Sequence, residues 1–389
     1  MTMAEGDLAV TELAFVRQAN IAPRPPPAAI TGALGWLREN LLSTPFNIAL
    51  TILIALLFAW AIPELVKFLV IDAVWSGSNR DACLESVIQH REIGACWPFV
   101  WERLPYFIYG SYPISERWRV DVFFAMLAIG ILWLLWLSAP RRDLAAVYFF
   151  VVLPAASFIL LTGWAAIGLQ PVDTVLWGGV LVTIVVASVG IVVSLPLGIL
   201  LALGRRSHMP VVRSLSVIFI EFVRGVPLVT VLFMAGVMLP LFMPEQLSPD
   251  KLVRALVGIA LFASAYMAEV VRAGLQAIPK GQYEGAMAIG LRYWQMMRLI
   301  VLPQALKVTI PNIVNTYIGL FKDTTLVFIV GIFDLLRTIE VARIDPKWAT
   351  PVTSTTGYAV AAIFYLVFCY GMSRYARAME ARLAKSDRR

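Results

Sequence analysis

The sequence predicts an all-α fold, a polytopic membrane helical bundle with about eight transmembrane helices. Three observations predict it. Apolar residues make up 60% of the 389 residues and charged ones only 15%, and the mean hydropathy is +0.78; soluble domains lie nearer half apolar and a quarter charged. The apolar residues come in long runs, and a bilayer core demands about 20 in succession per helix. No run shows the two-residue alternation of a membrane barrel, so each span must satisfy its own backbone as a helix.

Residues 1–43 are of mixed polarity, include the proline-rich stretch Ala22–Pro27, and are expected to form a cytoplasmic tail without a cleavable signal. The expected spans are Phe46–Leu65, Val120–Leu137, Leu144–Leu161, Leu176–Leu203, Leu215–Leu239, Val253–Leu275, Thr309–Phe333 and Gly357–Met379. Arg141 and Arg142 follow the second. Arg205, Arg206 and Arg213 follow the fourth, and Lys280, Arg292, Arg298 and Lys307 lie between the sixth and seventh. Arg382, Lys385, Arg388 and Arg389 follow the last, whereas Thr162–Val175 holds no basic residue. Short loops rich in Lys and Arg stay in the cytoplasm, so both termini are expected there. The same distribution accounts for the net charge of +7 and argues against a nucleic-acid partner.

The long loop 66–119 falls on the outer side, where a loop of its length translocates regardless of charge. Its Cys83 and Cys96 then sit in an oxidising compartment, and a bridge closing so short a loop contributes roughly 3 kcal/mol. A disulfide is the favoured reading; the other is two reduced thiols near the membrane surface. Cys369, inside the last span, reads as a packed apolar residue. The aromatics Trp97, Trp101, Tyr106, Phe107, Tyr109, Tyr112 and Trp118 predict a compact cap on the membrane interface.

Enzymatic chemistry has no foothold. The chain lacks a G-x-x-x-x-G-K-[ST] phosphate loop, and His90 and His208 have no cysteine or carboxylate constellation around them, so no metal site is expected. No Ser, Thr or Cys has an activating His at a suitable spacing.

The most informative stretch is Ile278–Pro311, IPKGQYEGAMAIGLRYWQMMRLIVLPQALKVTIP. Tyr283–Ile289 is a run of good helix formers, and Gly290 is placed to end it with positive φ. A second amphipathic run, Tyr293–Leu299, follows, and Pro303 is expected to force a bend before the next span. The apolar residues Ala286, Ile289, Leu291, Met296 and Met297 need cover, from the membrane or from another protein.

This stretch resembles the coupling-loop signature of binding-protein-dependent ABC importers: Glu-Ala-Ala, a following Gly, then Ile-x-Leu-Pro. It appears here as Glu284-Gly285-Ala286, Gly290 and Ile300-Val301-Leu302-Pro303. Gly285 departs from the usual Ala, at up to about 1 kcal/mol of helix propensity. FIEFVRGVPLVTVLFM (Phe219–Met234), SAYMAEVVRAG (Ser264–Gly274), LPQA (Leu302–Ala305) and FKDTTL (Phe321–Leu326) are similar to the polar amino-acid permeases, the histidine, glutamate, glutamine, arginine and opine group. The resemblance covers about Leu176 to Arg382. It implies a five-helix permease core over 176–382 with coupling loop 278–311, a three-span extension over 44–175, and a cytoplasmic tail at 383–389. The extension is similar to the longer permease subunit of general L-amino-acid importers.

Several expectations follow from that resemblance. The chain is a multi-pass protein of the bacterial inner (plasma) membrane, carries no cofactor, and leaves ATP to separate ATPase subunits. Its partners are those subunits, a second permease expected to be a shorter paralogue, a periplasmic amino-acid-binding protein, the L-amino acid and the lipid bilayer. Glu284, Gly285, Ala286, Gly290 and Pro303 carry the coupling to the ATPase.

Charges inside spans are costly, at least about 2.5–3.5 kcal/mol each at mid-membrane, so they face a bundle interior or a partner. Glu221 with Arg224 and Glu269 with Arg272 read as i,i+3 pairs, either structural or part of a gate. Lys322 and Asp323, beside Thr324 and Thr325, lie deeper and are the preferred substrate-path or gate candidates; at least one of the charged pair is expected to meet another element. The alternative function is a stand-alone secondary transporter, with Glu221, Glu269 and Asp323 coupling protons or sodium. Such transporters often carry internal repeats, and the two halves here show no convincing one.

Overall fold

The computed structural model describes residues 32–84, 92–136 and 139–386; the proline-rich tail, His90, Arg388 and Arg389 lie outside them. The described residues form two compact units divided after Lys67, so 68–175 pack in one unit with the segments that follow. The first unit holds α1 (Gly32–Asn40) and α2 (Pro45–Val66). Thr44 caps α2 by accepting from the Asn47 amide at 3.1 Å, with Pro45 in the first turn, where its missing N–H is no loss.

The second unit holds α3 (Trp97–Tyr109), α4 (Arg117–Leu135), α5 (Asp143–Thr162), α6 (Gly179–Arg205), α7 (Pro210–Gly225) and α8 (Leu228–Leu241). It continues with α9 (Lys251–Ala277), α10 (Lys280–Ala288), α11 (Tyr293–Val330), α12 (Leu335–Ala342) and α13 (Pro351–Ser386). Seven helices among the described residues are long and apolar enough to cross a membrane, or eight if α7 and α8 make one span.

The expected fifth span, Leu215–Leu239, is not one straight helix. α7 and α8 meet at 104° across Val226 and Pro227. Proline lacks the amide that would continue α7, and it pushes the preceding residue out of helical geometry. Val226 is accordingly extended, at φ −111° and ψ 135°. Pro303 behaves in the opposite way to the expected bend. A single wide π-turn, Met297–Val301, precedes it, and α11 runs on unbroken from Tyr293 instead of starting near Thr309. The wider turn makes room for a ring that would clash with the carbonyl four residues back. Similar wide turns precede Pro154 and Pro240.

The core is the pair α6 and α9. Small residues set how closely the helices approach, as membrane bundles require in the absence of a hydrophobic drive between helices. A methyl group at Gly198 would lie 2.8 Å from Met267, and one at Gly274 2.7 Å from the Ala305 carbonyl on α11. Helices α4 and α5 pack on the flank of this pair.

The aromatic loop is not simply laid on an interface. Cys83 and Cys96 form a disulfide, with Cα atoms 5.9 Å apart. The Cys96 amide donates to Thr356 on α13 at 3.0 Å, and the Arg80 amide donates to the Lys347 carbonyl at 2.8 Å. Arg103 pairs with Asp345 and Lys347 with Glu102, and the Lys347 ammonium holds the Glu102 carboxyl below its ordinary range. Phe99, Phe107, Ile339 and Trp348 form a buried cluster beneath. The cap therefore clasps the connection between α11 and α13. We call this the disulfide end of the bundle; α6 runs from it to Arg205 at the opposite end.

Mass spectrometry without reductant is expected to find Cys83 joined to Cys96. Replacing both with Ala is expected to lower unfolding stability by about 3 kcal/mol, read from thermal melts of the purified protein.

Candidate functional site

The end of the bundle opposite the disulfide gathers most of the polar residues singled out in the sequence. α6 stops at Arg205 and Arg206, and these adjacent side chains leave the helix in different directions. Arg205 Nη1 donates to Glu221 Oε1 of α7 and to Glu269 Oε1 of α9, both at 2.8 Å. Arg272, one turn along α9, donates through Nη2 at 2.7 Å and Nε at 2.9 Å to the other Glu269 oxygen. Arg224 Nη1 lies 3.8 Å from that same oxygen, with its guanidinium carbon 5.7 Å from the Tyr266 ring centre.

Two of the expected pairings therefore fare differently. Glu269 and Arg272 meet as an i,i+3 pair. Glu221 and Arg224 do not: Glu221 turns to Arg205 and Arg224 to Glu269. The bend at Pro227 leaves α7 lying against the ends of α6 and α9, so cross-helix partners outcompete the local one. Glu269 is the centre of this arrangement, with a side chain 15% exposed and three arginines around it, whereas Glu221 is 54% exposed and, among the described residues, forms an ion pair with Arg205.

Arg206 reaches the other way. Its Nη1 donates to the Leu275 carbonyl at 3.1 Å and to Tyr283 Oη at 3.2 Å, with the guanidinium over the Tyr283 ring. Tyr283 Oη in turn donates to the Leu275 carbonyl at 3.1 Å. These bonds fasten α10 to the ends of α6 and α9. Gln304 of α11 adds a bond to Gln282 Oε1 at 3.0 Å.

The exit from α10 is a closed motif. The Leu291 amide donates to the Ala286 carbonyl at 3.2 Å, and the Gly290 amide donates to the Met287 carbonyl at 2.9 Å. This six-to-one and five-to-two pairing requires a residue in the left-handed region, and Gly290 supplies it at φ +79°. Nothing lies within 4 Å of a methyl group built on Gly290, so backbone conformation and not space demands glycine there. Gly285 is equally open, and Ala would fit at that position.

The five apolar residues expected to need outside cover divide. Ala286, Met296 and Met297 are buried in the chain's own core and Leu291 packs partly against it. Ile289 is 72% exposed, and it is joined by Met287 and Trp294, at 58% and 66%. Glu284 is exposed beside them. Pro303 sits in α11 behind the wide turn, beyond this exposed face.

Lys322 and Asp323 lie elsewhere, near the far end of α11. Lys322 is exposed and Asp323 half-exposed, and among the described residues neither side chain makes a hydrogen bond or ion pair. Lys322 nevertheless lies close enough to Cys369 of α13 for the two to interact electrostatically. Thr324 and Thr325 bond back to the Phe321 and Lys322 carbonyls at 2.8 and 3.0 Å, and Thr324 is fully buried.

Sequence reasoning missed Arg205, Arg206 and Tyr283 as working parts. The arginines read as orientation signals, and their partners lie 16, 64, 69 and 77 residues away. A doubled arginine closing a span was the one available hint.

Residues 194–385 match the family model of the binding-protein-dependent transport system inner membrane component. The chain is 49% identical, over 92% of its length and 95% of the relative's, to the inner membrane amino-acid ABC transporter permease protein YhdY of Escherichia coli. It is 39% identical, over 97% of its length and all of the relative's, to the glutamate/glutamine/aspartate/asparagine transport system permease protein BztC of Rhodobacter capsulatus. A crystal structure of an amino acid ABC transporter with histidines covers 52% of this chain and 92% of its own, at 26% identity and a TM-score of 0.46.

Because Glu269 is shared by three arginines, Glu269→Gln is expected to destabilise the protein by about 2 kcal/mol. Glu221→Gln is expected to cost no more than about 1 kcal/mol. Thermal melts of the two variants check the ordering.

Proposed function

The chain belongs to the family of binding-protein-dependent transport system inner membrane components, and from that membership we propose that it is the permease subunit of an ATP-driven L-amino-acid importer. Relatives named as amino-acid permeases that align along nearly the whole chain support the substrate class. The observation that carries the coupling role is the two-sided character of α10: riveted to α6 and α9 through Tyr283, Arg206 and Leu275, and open to solvent at Glu284, Gly285, Met287 and Ile289.

In this reading an ATPase subunit on a separate polypeptide grips the open face. Glu284 supplies charge, and Met287, Ile289 and Trp294 supply the apolar contact that water would otherwise leave exposed. Closure of the ATPases displaces α10. The bonded contacts at its other face carry the displacement into the ends of α6 and α9, rocking the helices as bodies. Rigidity is what this requires, and the closed exit at Gly290 together with the buried Ala286 provides it.

Lys322 and Asp323 lie within a span, and among the described residues neither side chain makes a hydrogen bond or ion pair. Charges so placed are excluded from lipid, which supports an aqueous path or a second permease subunit against that face of α11. Both signs are present, as a zwitterionic substrate demands. Thr324 and Thr325 adjoin them, although their hydroxyls are engaged by the helix itself. Glu221, Arg224, Glu269 and Arg272 belong to the inner gate, near the coupling helix. The second permease is a shorter paralogue, and a soluble periplasmic protein delivers the amino acid. The termini are cytoplasmic, the Arg205 end of the bundle faces the cytoplasm and the disulfide end faces the periplasm; the Lys and Arg content of the connections supports that placement.

ATP-dependent uptake by the complete transporter in liposomes tests this. Gly290→Val forces a β-branched residue into left-handed geometry and is expected to lower uptake roughly ten-fold with membrane insertion unchanged; wild-type uptake would count against the docking model. Gly285→Ala, which has room for its methyl group, is expected to retain full transport and gain up to about 1 kcal/mol of stability. Asp323→Asn is expected to change uptake or substrate-stimulated ATP hydrolysis, and unaltered kinetics would assign it a structural role only.

A further inference from the structure

α7 is set across the end of α6, not along it. A methyl group at Gly204 would meet both Val212 and Ser216, and Glu221 accepts from Arg205 at 2.8 Å. Val212 and Glu221 lie about 13 Å apart along α7, yet both meet the same two residues of α6. A helix running alongside α6 would meet new residues at every turn. Beyond the 104° bend, α8 packs against α9 and the chain reaches the disulfide end, where Asp250 accepts from Thr174 at 2.7 Å. The crossing belongs to α8, and α7 stays at the Arg205 end.

The outward side of α7 is apolar. Val211, Leu215, Ile218 and Phe222 are 64–68% exposed, and at about 100° per residue they fall within about 60° of one another. Val212 and Phe219 widen the arc on one side to about 120°. Ser214 and Glu221, both exposed, border it on the other. Opposite the stripe, Ser216 and Ile220 are buried. Going round the helix, packed protein gives way to the apolar arc, the arc to a polar edge, and the polar edge to packed protein again. A helix lying in a membrane interface beside a bundle needs this division, with its arc in the acyl boundary and its edge in water. A soluble subunit below the bundle would meet the polar edge and leave the arc uncovered. Leu200, one turn before Gly204 on α6, is also exposed at this level. Charge agrees. Residues 204–225 hold Arg205, Arg206, Arg213 and Arg224 against the single acid Glu221. Arg213 is exposed, and among the described residues its side chain makes no hydrogen bond or ion pair. That cation is complementary to the phosphates of a bilayer surface.

We propose that α7 is a membrane-surface helix. It lies in the plane of the leaflet at the Arg205 end, with its apolar arc at the boundary of headgroups and acyl chains and Arg213 among the phosphates. Glu221 and Arg224 ride on the same helix, so the leaflet surface fixes the level at which the Arg205–Glu269 cluster stands. The inference needs only the membrane location of the bundle, and it is read out independently of transport.

The test uses the full chain in its assembled complex, in nanodiscs of phosphatidylethanolamine and phosphatidylglycerol. Cys369→Ala removes the free thiol, and Val211→Cys, Ser214→Cys, Leu215→Cys, Ile218→Cys and Phe222→Cys, each alone, receive a nitroxide without reductant. Collision rates with oxygen and with a water-soluble nickel chelate give the depth of each label. The four labels of the stripe are expected at one level, about 5–10 Å below the phosphates. A transverse helix would spread them over about 16 Å. The Ser214 label is expected to meet the nickel chelate roughly five-fold more often than the label at Leu215 beside it. If one variant fails to assemble, the remaining positions of the stripe carry the test. A depth that changes steadily along the helix overturns the proposal, and so does free access of nickel to the whole stripe. A stripe closed to both reagents overturns it too, since a second permease or an ATPase subunit then covers the arc.

Discussion

The doubled arginine that closes α6 is the constraint on which the polar end of this molecule depends. Neighbouring residues on a helix point about 100° apart, so one helix end grips two different things. Arg205 draws α7 and α9 together through Glu221 and Glu269, and Arg206 holds α10 against the last turn of α9 through Tyr283 and the Leu275 carbonyl. Any displacement of α10 must act on the same helix end that anchors the charge cluster. In the proposed mechanism, coupling helix and inner gate are therefore not separate devices joined by a pathway; they share a backbone.

Proline sets the shape of the machinery in two opposite ways. At Pro227 the chain breaks and turns through 104°, which lays α7 across the end of the bundle and brings Glu221 within reach of Arg205. At Pro303 the chain absorbs the ring in one wide turn and carries α11 straight through from the coupling segment into the span. The difference lies in what precedes the ring. Val226 is extended, whereas Met297 to Val301 remain helical and only widen. A bend is needed where three helix ends must converge, and a continuous rod is what the proposed coupling would need to carry motion from the knob into the membrane.

At the other end the disulfide-bearing cap is fastened to the connection between α11 and α13 by the Arg103–Asp345 and Glu102–Lys347 ion pairs, by Trp348 beneath, and by the Cys96 amide on Thr356. Such a clasp restrains the disulfide-bearing loop against the end of the bundle. Between the two ends the bundle is asymmetric. α6 and α9 meet through small residues with no room for a methyl group, while the seam with α4 and α5 leaves an open, apolar slot.

Much was legible from the sequence alone. Hydropathy determined the class, because lipid leaves helices as the only solution for such runs. The order Glu284, Ala286, Gly290 determined a helix with a glycine exit, because the left-handed φ at Gly290 is a local requirement that no distant contact can replace. Which charges pair was decided only by the tertiary structure. Local spacing favours Glu221 with Arg224, by a few tenths of a kcal/mol on a helix surface, and that preference is too weak to withstand the convergence of three helix ends. Burial was decided there too: Met296 and Met297 look as exposed in sequence as Ile289, yet they are core and it is not. Propensity and hydropathy act over a few residues and survive any fold, whereas pairing and burial belong to whichever surfaces the fold brings together.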